Sequence, residues 1–136
     1  GSGANRTVSV TPVSGRSGTA VVTLTASDGS ASSTTTFTVR VGTNQADTLT
    51  GGPGVDVIIG NNGDDTLRGG DGLDALCGGN GNDALFGDGD NDHLSGGAGD
   101  DQLTGGTGAD RFDGGKGRDT ATDANIAMGD TTVNIP

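Results

Sequence analysis

Nine aspartates recur at intervals of nine residues along this chain: Asp47, Asp56, Asp65, Asp74, Asp83, Asp92, Asp101, Asp110 and Asp119. A carboxylate is a hard oxygen donor, so a row of carboxylates at fixed spacing suits the binding of hard cations. All 18 acidic residues are Asp and none is Glu. A solvated charged surface ordinarily mixes the two, so a preference this complete indicates a short carboxylate needed close to the backbone at fixed places. The formal net charge of −11 makes cations the expected partners and argues against nucleic acid and anionic membrane surfaces. The single His, His93, and the single Cys, Cys77, have no evident catalytic partner, and the motif aspartates are already committed, so no enzyme activity is expected. One cysteine also excludes an internal disulfide and a Cys-based zinc site.

The elements that must position these carboxylates are equally regular. From Gly42 to Thr122 the chain falls into nine consecutive units of nine residues without an insertion. Gly69-Gly70-Asp71-Gly72-Leu73-Asp74-Ala75-Leu76-Cys77 is a clear copy: Gly, Gly, any, Gly, any, Asp, any, aliphatic, any. The eighth position runs Leu49, Ile58, Leu67, Leu76, Leu85, Leu94, Leu103, Phe112 and Ala121, one apolar group per unit to face an interior. The seventh and ninth positions then face outward, which places His93 and Cys77 on the surface.

These units resemble the repeats-in-toxin, hemolysin-type calcium-binding nonapeptide. The resemblance implies an all-β fold, a right-handed parallel β-roll in which each unit is a Gly-rich turn followed by a short strand and two units make one coil. It also implies calcium between stacked coils, so that a unit shares its ions with the units eighteen residues before and after it. The ligands it implies are the sixth-position Asp side chains together with loop groups and backbone carbonyls. In this chain the loop positions are the first, Gly51, Gly60, Gly69, Gly78, Gly87, Gly96, Gly105 and Gly114; the second, Gly52, Asn61, Gly70, Gly79, Asp88, Gly97, Gly106 and Gly115; and the fourth, Gly54, Gly63, Gly72, Gly81, Asp90, Gly99, Gly108 and Gly117. The implied carboxylate pairs are Asp47–Asp65, Asp65–Asp83, Asp83–Asp101 and Asp101–Asp119 on one edge, and Asp56–Asp74, Asp74–Asp92 and Asp92–Asp110 on the other. About five to seven calcium ions are expected.

Calcium is expected to be a structural requirement. One buried aliphatic group per unit falls well short of the conformational entropy of ordering nine residues. Stacking also sets like-charged aspartates about 5 Å apart, a repulsion of roughly 3 kcal/mol at an effective dielectric near 20. Divalent ions remove that repulsion, so binding and folding are expected as one linked step.

Departures from the repeat fall at particular sites. The first unit, Gly42-Thr43-Asn44-Gln45-Ala46-Asp47, lacks two of its three glycines, and Gln45 is poorly suited to a left-handed backbone, so the Asp47 position departs most. Asp88 and Asp90 stand where glycines are expected, but Asp and Asn tolerate left-handed geometry better than other residues. Asp88, Asp90 and Asp92 mimic the opening of an EF-hand, yet His93 and Gly99 occupy the positions that need Gly and Glu. The third positions, read in chain order, are Asn44, Pro53, Asn62, Asp71, Asn80, Gly89, Ala98, Thr107 and Lys116, which form no ladder of the kind through which some β-rolls of this family bind ice.

The flanks read differently. Residues 1–3 look like an expression scar. Residues 4–41 are rich in Ser, Thr and Val, and the alternation of Ala20, Val22, Leu24 and Ala26, and of Phe37, Val39 and Val41, predicts strands over Thr19 to Ala26 and Ala31 to Val41. Asp28-Gly29 is a hairpin-turn signal, and a further strand is expected over Thr7 to Val13. This segment resembles part of a bacterial immunoglobulin-like or cadherin-like repeat, and it is expected to run directly into the roll and cover its first turn. It also offers a route to self-association or strand complementation. Residues 123–136 break the repeat, and Ile126, Met128, Val133 and Ile135 are expected to cap the solenoid. No apolar run is long enough to span a bilayer, so membrane insertion is not expected. The functional expectation is a calcium-binding module that folds on binding and stabilises part of a secreted bacterial protein, with an extracellular location. The alternatives are an adhesion or stalk module of a surface adhesin, or an appendage of a secreted hydrolase.

Overall fold

The computed structural model describes residues 17–27, 30–123 and 129–135. The expected strand at Thr7 to Val13, the Asp28-Gly29 turn, and the caps Ile126 and Met128 lie outside them. The described chain is all β: β1 (Gly18–Ser27), β2 (Ser32–Val41), β3 (Thr48–Pro53), β4 (Asp56–Asn62), β5 (Thr66–Asp71), β6 (Ala75–Asn80), β7 (Ala84–Gly89), β8 (His93–Ala98), β9 (Gln102–Thr107), β10 (Arg111–Lys116), β11 (Thr120–Ala121) and β12 (Thr131–Val133). No helix among the described residues is long and apolar enough to cross a membrane.

Successive units alternate between two sheets. One has the order β1-β2-β4-β6-β8-β10-β12 and the other β11-β9-β7-β5-β3. Parallel pairing puts each residue beside its counterpart two units on, as in Ile58–Leu76–Leu94 in one sheet and Leu49–Leu67–Leu85 in the other. Two units therefore make one coil of a solenoid. The period of the strand sends alternate side chains to opposite faces. The eighth positions supply the apolar side chains of the inward face, so Ile58, Leu67, Leu76, Leu85, Leu94, Leu103 and Phe112 form a single file of buried side chains, with Leu49 and Ala121 packed at its ends. Parallel sheets are usually covered on both faces. Here the outer faces are open, and a core this thin leaves the edge loops to supply the remaining cohesion.

The N-terminal hairpin joins the first sheet directly. β1 and β2 pair antiparallel from Gly18–Val41 to Ser27–Ser32, and β2 then pairs parallel with β4, Thr38 beside Asp56 and Val41 beside Ile59. Residues 38–41 thus take the place of a strand one coil before β4. Arg40 lies opposite Ile58, in the column that elsewhere holds the core.

Candidate metal centre

The sixth-position aspartates form two columns along the edges of the roll, welded by a repeated pair of hydrogen bonds. Each carboxylate Oδ1 accepts the backbone N–H of the Asp one coil earlier. Asp47, Asp65, Asp83 and Asp101 donate to Asp65, Asp83, Asp101 and Asp119 at 2.7–2.9 Å. Asp56, Asp74 and Asp92 donate to Asp74, Asp92 and Asp110 at 2.7–2.8 Å. The Asp carbonyls in turn accept the N–H of the seventh position one coil on, as in Ala84 to Asp65 and Gln102 to Asp83 at 2.8 Å. All seven pairs expected from the sequence are therefore brought side by side. A side chain of this length reaches the neighbouring peptide while staying in line with its own backbone, which a Glu, one methylene longer, would not, and this accounts for Asp at the sixth positions.

The second carboxylate oxygen is left over. Oδ2 of Asp65, Asp74, Asp83, Asp92, Asp101, Asp110 and Asp119 is buried and has no hydrogen-bond partner. A buried anionic oxygen without a donor is costly, and it calls for a proton or a cation. Burial lifts the carboxyls of Asp74 and Asp83 to about 6 and that of Asp92 to about 7, against the opposing pull of the backbone N–H each one accepts and with help from neighbouring carboxylates. Asp65, Asp101 and Asp110 are raised first by the same burial.

A second oxygen meets the Oδ2 of Asp65, Asp74, Asp83 and Asp92. A Cβ added at Gly78 would come within 3.0 Å of both Asp83 Oδ2 and the carbonyl oxygen of Gly96, and Gly60, Gly69 and Gly87 repeat the arrangement with Asp65 and Gly78, Asp74 and Gly87, and Asp92 and Gly105. Glycine at the first position leaves room for a carboxylate and a carbonyl from the next coil to converge on one point. The second and fourth positions form the left-handed loop, for instance Gly72 at φ 124°. Asn61, Asp88 and Asp90 also adopt it, at 85°, 78° and 70°, so the units that begin at Gly60 and Gly87 keep the loop shape without glycine there. Hard oxygens converging without N–H donors fit a calcium ion. Among the described residues no three His, Cys, Asp or Glu side chains gather to hold a metal, so carbonyls must make up the coordination.

The first coil is different. Asp47 Oδ2 accepts the N–H of Thr43 at 2.6 Å and its hydroxyl at 2.8 Å. Asp56 Oδ2 accepts the N–H of Gly52 at 3.0 Å, and its Oδ1 faces the Arg40 guanidinium at 3.7 Å, an ion pair too long for a hydrogen bond. Arg40 also donates to the carbonyls of Thr50 and Gly51. Protein donors and a guanidinium thus serve the two carboxylates that open the columns.

Four features were not read from the sequence. Asp130 accepts the N–H of Asp110 at 2.8 Å and extends its column twenty residues on instead of eighteen. Asp123 accepts the N–H groups of Gly105 and Gly106 at 2.9 and 2.6 Å, one coil earlier. An outer column also runs through the fifth positions, where Asp64, Asn82 and Asp100 accept the N–H of Asn82, Asp100 and Arg118 at 2.8 Å. Chain order also conceals a ladder at the third position, because successive units lie on opposite edges. Asn44, Asn62 and Asn80 are stacked on one edge with amide hydrogen bonds of 2.7 and 2.8 Å. His93 and Cys77 are exposed, and Cys77 stands between Ile59 and Ser95.

A family model for the RTX calcium-binding nonapeptide repeat, four copies, matches residues 41–76, 50–85 and 86–121. No curated protein and no solved structure matches the chain. The matched residues run without a break from 41 to 121 and coincide with the coils whose carboxylates and carbonyls converge. The chain belongs to the RTX calcium-binding nonapeptide repeat family, and it is a calcium-binding β-roll.

Proposed function

We propose that this β-roll is a calcium-triggered folding module that stabilises part of a secreted bacterial protein outside the cell. It has no catalytic role of its own. It holds about five to seven calcium ions between stacked coils. The sixth-position aspartates are the side-chain ligands, and the carbonyls of the Gly-rich loops complete each site. The observation that carries this reading is the file of buried Oδ2 atoms without donors on Asp65, Asp74, Asp83, Asp92, Asp101, Asp110 and Asp119. Without cations these carboxylates repel one another and lack solvation, so the same contacts that build the ladder work against it. In a compartment low in calcium the chain would stay open, which suits export. In millimolar calcium it would close.

Equilibrium dialysis against calcium, with the bound ions counted per chain, tests the assignment. About five to seven ions are expected, whereas two or fewer would contradict the pairing of aspartates. The N-terminal hairpin carries a secondary role in this reading. Among the described residues β1 is the outermost strand of its sheet and Val21 is 68% exposed, so a strand from a second chain or from an adjacent segment could add at that edge.

A further inference from the structure

We propose that residues 129–134, which depart from the nonapeptide sequence, take the place of a further repeat and complete the calcium site at Asp119; the inference rests on the calcium reading above. β12 lies on β10 with Arg111, Phe112 and Asp113 beside Thr131, Thr132 and Val133, the parallel register that relates every coil to the next, but shifted by two residues. Two hydrogen bonds of the column are reproduced across this step. Asp110 donates its N–H to Asp130 and accepts the N–H of Thr131, both at 2.8 Å. The segment is thus a repeat in geometry although it departs from the repeat in sequence.

The decisive feature is Asn134. It adopts a left-handed backbone at φ 52° and its side-chain amide donates to Asp113 Oδ1 at 2.8 Å. Its carbonyl oxygen then falls 2.6 Å from the position of a Cβ at Gly114, and Asp119 Oδ2 falls 2.6 Å from the same point. This is the convergence seen at Gly78, where the carbonyl belongs to Gly96. Asp119 is 2% exposed and its Oδ2 has no hydrogen-bond partner. A buried carboxylate oxygen and a carbonyl oxygen aimed at one place, with no donor between them, call for a hard divalent cation. The ion at Asp119 and the order of the tail therefore depend on each other, and Val133, expected to cap the solenoid, is 41% exposed instead.

Calcium stoichiometry of the whole chain by equilibrium dialysis, with hydrogen exchange at residues 131–133, tests this. Asp119→Asn and Asn134→Val should each lose one ion per chain and speed exchange in the tail, because the first removes the anionic oxygen and a β-branched residue resists the left-handed backbone that aims the carbonyl. Asn134→Gly keeps that backbone freely and should retain the ion. Full stoichiometry in Asp119→Asn and Asn134→Val, or loss of the ion in Asn134→Gly, would overturn the proposal. If the unaltered chain bound no calcium in the roll, the broader functional reading would fail with it, and the two failures are told apart by the unaltered chain alone.

Discussion

Each aspartate of the column does two jobs with its two oxygens. Oδ1 of Asp83 accepts the peptide N–H of Asp65, while Oδ2 has no donor and meets the carbonyl of Gly96. Asp83→Ala should therefore strand a buried N–H and remove an ion ligand, weakening the calcium-loaded fold by about 1–3 kcal/mol for the orphaned donor alone. Asp113→Ala, at a ninth position, removes only the hydrogen bond from Asn134 and should harm less, with its effect confined to the tail site. Calcium titrations of the two variants decide the matter, since equal midpoints would mean a wrong register. The raised carboxyl values give a pH prediction with a definite sign. Folded-state protonation of Asp74, Asp83 and Asp92 persists to about 6, 6 and 7, so the ion-free roll gains a contribution that is complete below an unfolded Asp value of about 4 and is lost as pH rises through 6 to 7. Circular dichroism in chelator should show more strand at pH 4–5 than at pH 7.5. Less strand at the lower pH would contradict it. The columns themselves were legible from spacing, because a strict nine-residue period on two alternating edges stacks every second Asp. How each carboxylate divides its oxygens was not, since that depends on the distance between coils.

At the scale of elements, the two ends of the solenoid are finished by different chemistry. The N-terminal end uses Arg40, which sits in the core column of the first sheet and turns its guanidinium to Asp56 and to the carbonyls of Thr50 and Gly51. Arg40→Met keeps the apolar stem and removes the charge. It should lower stability in calcium by about 1–2 kcal/mol, because the Asp56 side chain is 4% exposed. Arg68→Met removes a pair with Asp88 whose side chains are 48% and 34% exposed, and should matter by about 1 kcal/mol or less. Thermal unfolding of both variants in calcium checks the contrast, and an equal loss would mean that Arg40 is an ordinary surface residue. The hairpin strands were legible from the alternation of Val22, Leu24, Phe37 and Val39, and they appear as Gly18–Ser27 and Ser32–Val41. That β2 would continue as a parallel strand with an arginine facing inward was not, because an arginine followed by a valine reads as another outward position. The tail was illegible for a similar reason. Its two-residue slip breaks the count, and Thr132 stands where the repeat would place an aliphatic side chain.

For the whole molecule, stability is divided between a one-residue-wide apolar file and two columns of carboxylates. The file alone holds Ile58, five leucines and Phe112, too little to order so many glycine-rich loops. The columns alone repel one another. On the proposed reading calcium changes the sign of the second term, which requires that the fold and the ion appear together. The most direct test is far-UV circular dichroism of the intact chain in chelator at neutral pH, followed by titration into millimolar calcium. The account predicts a disordered spectrum that converts cooperatively to β-structure as calcium is added. A full β-spectrum in chelator, unchanged by calcium, would contradict it.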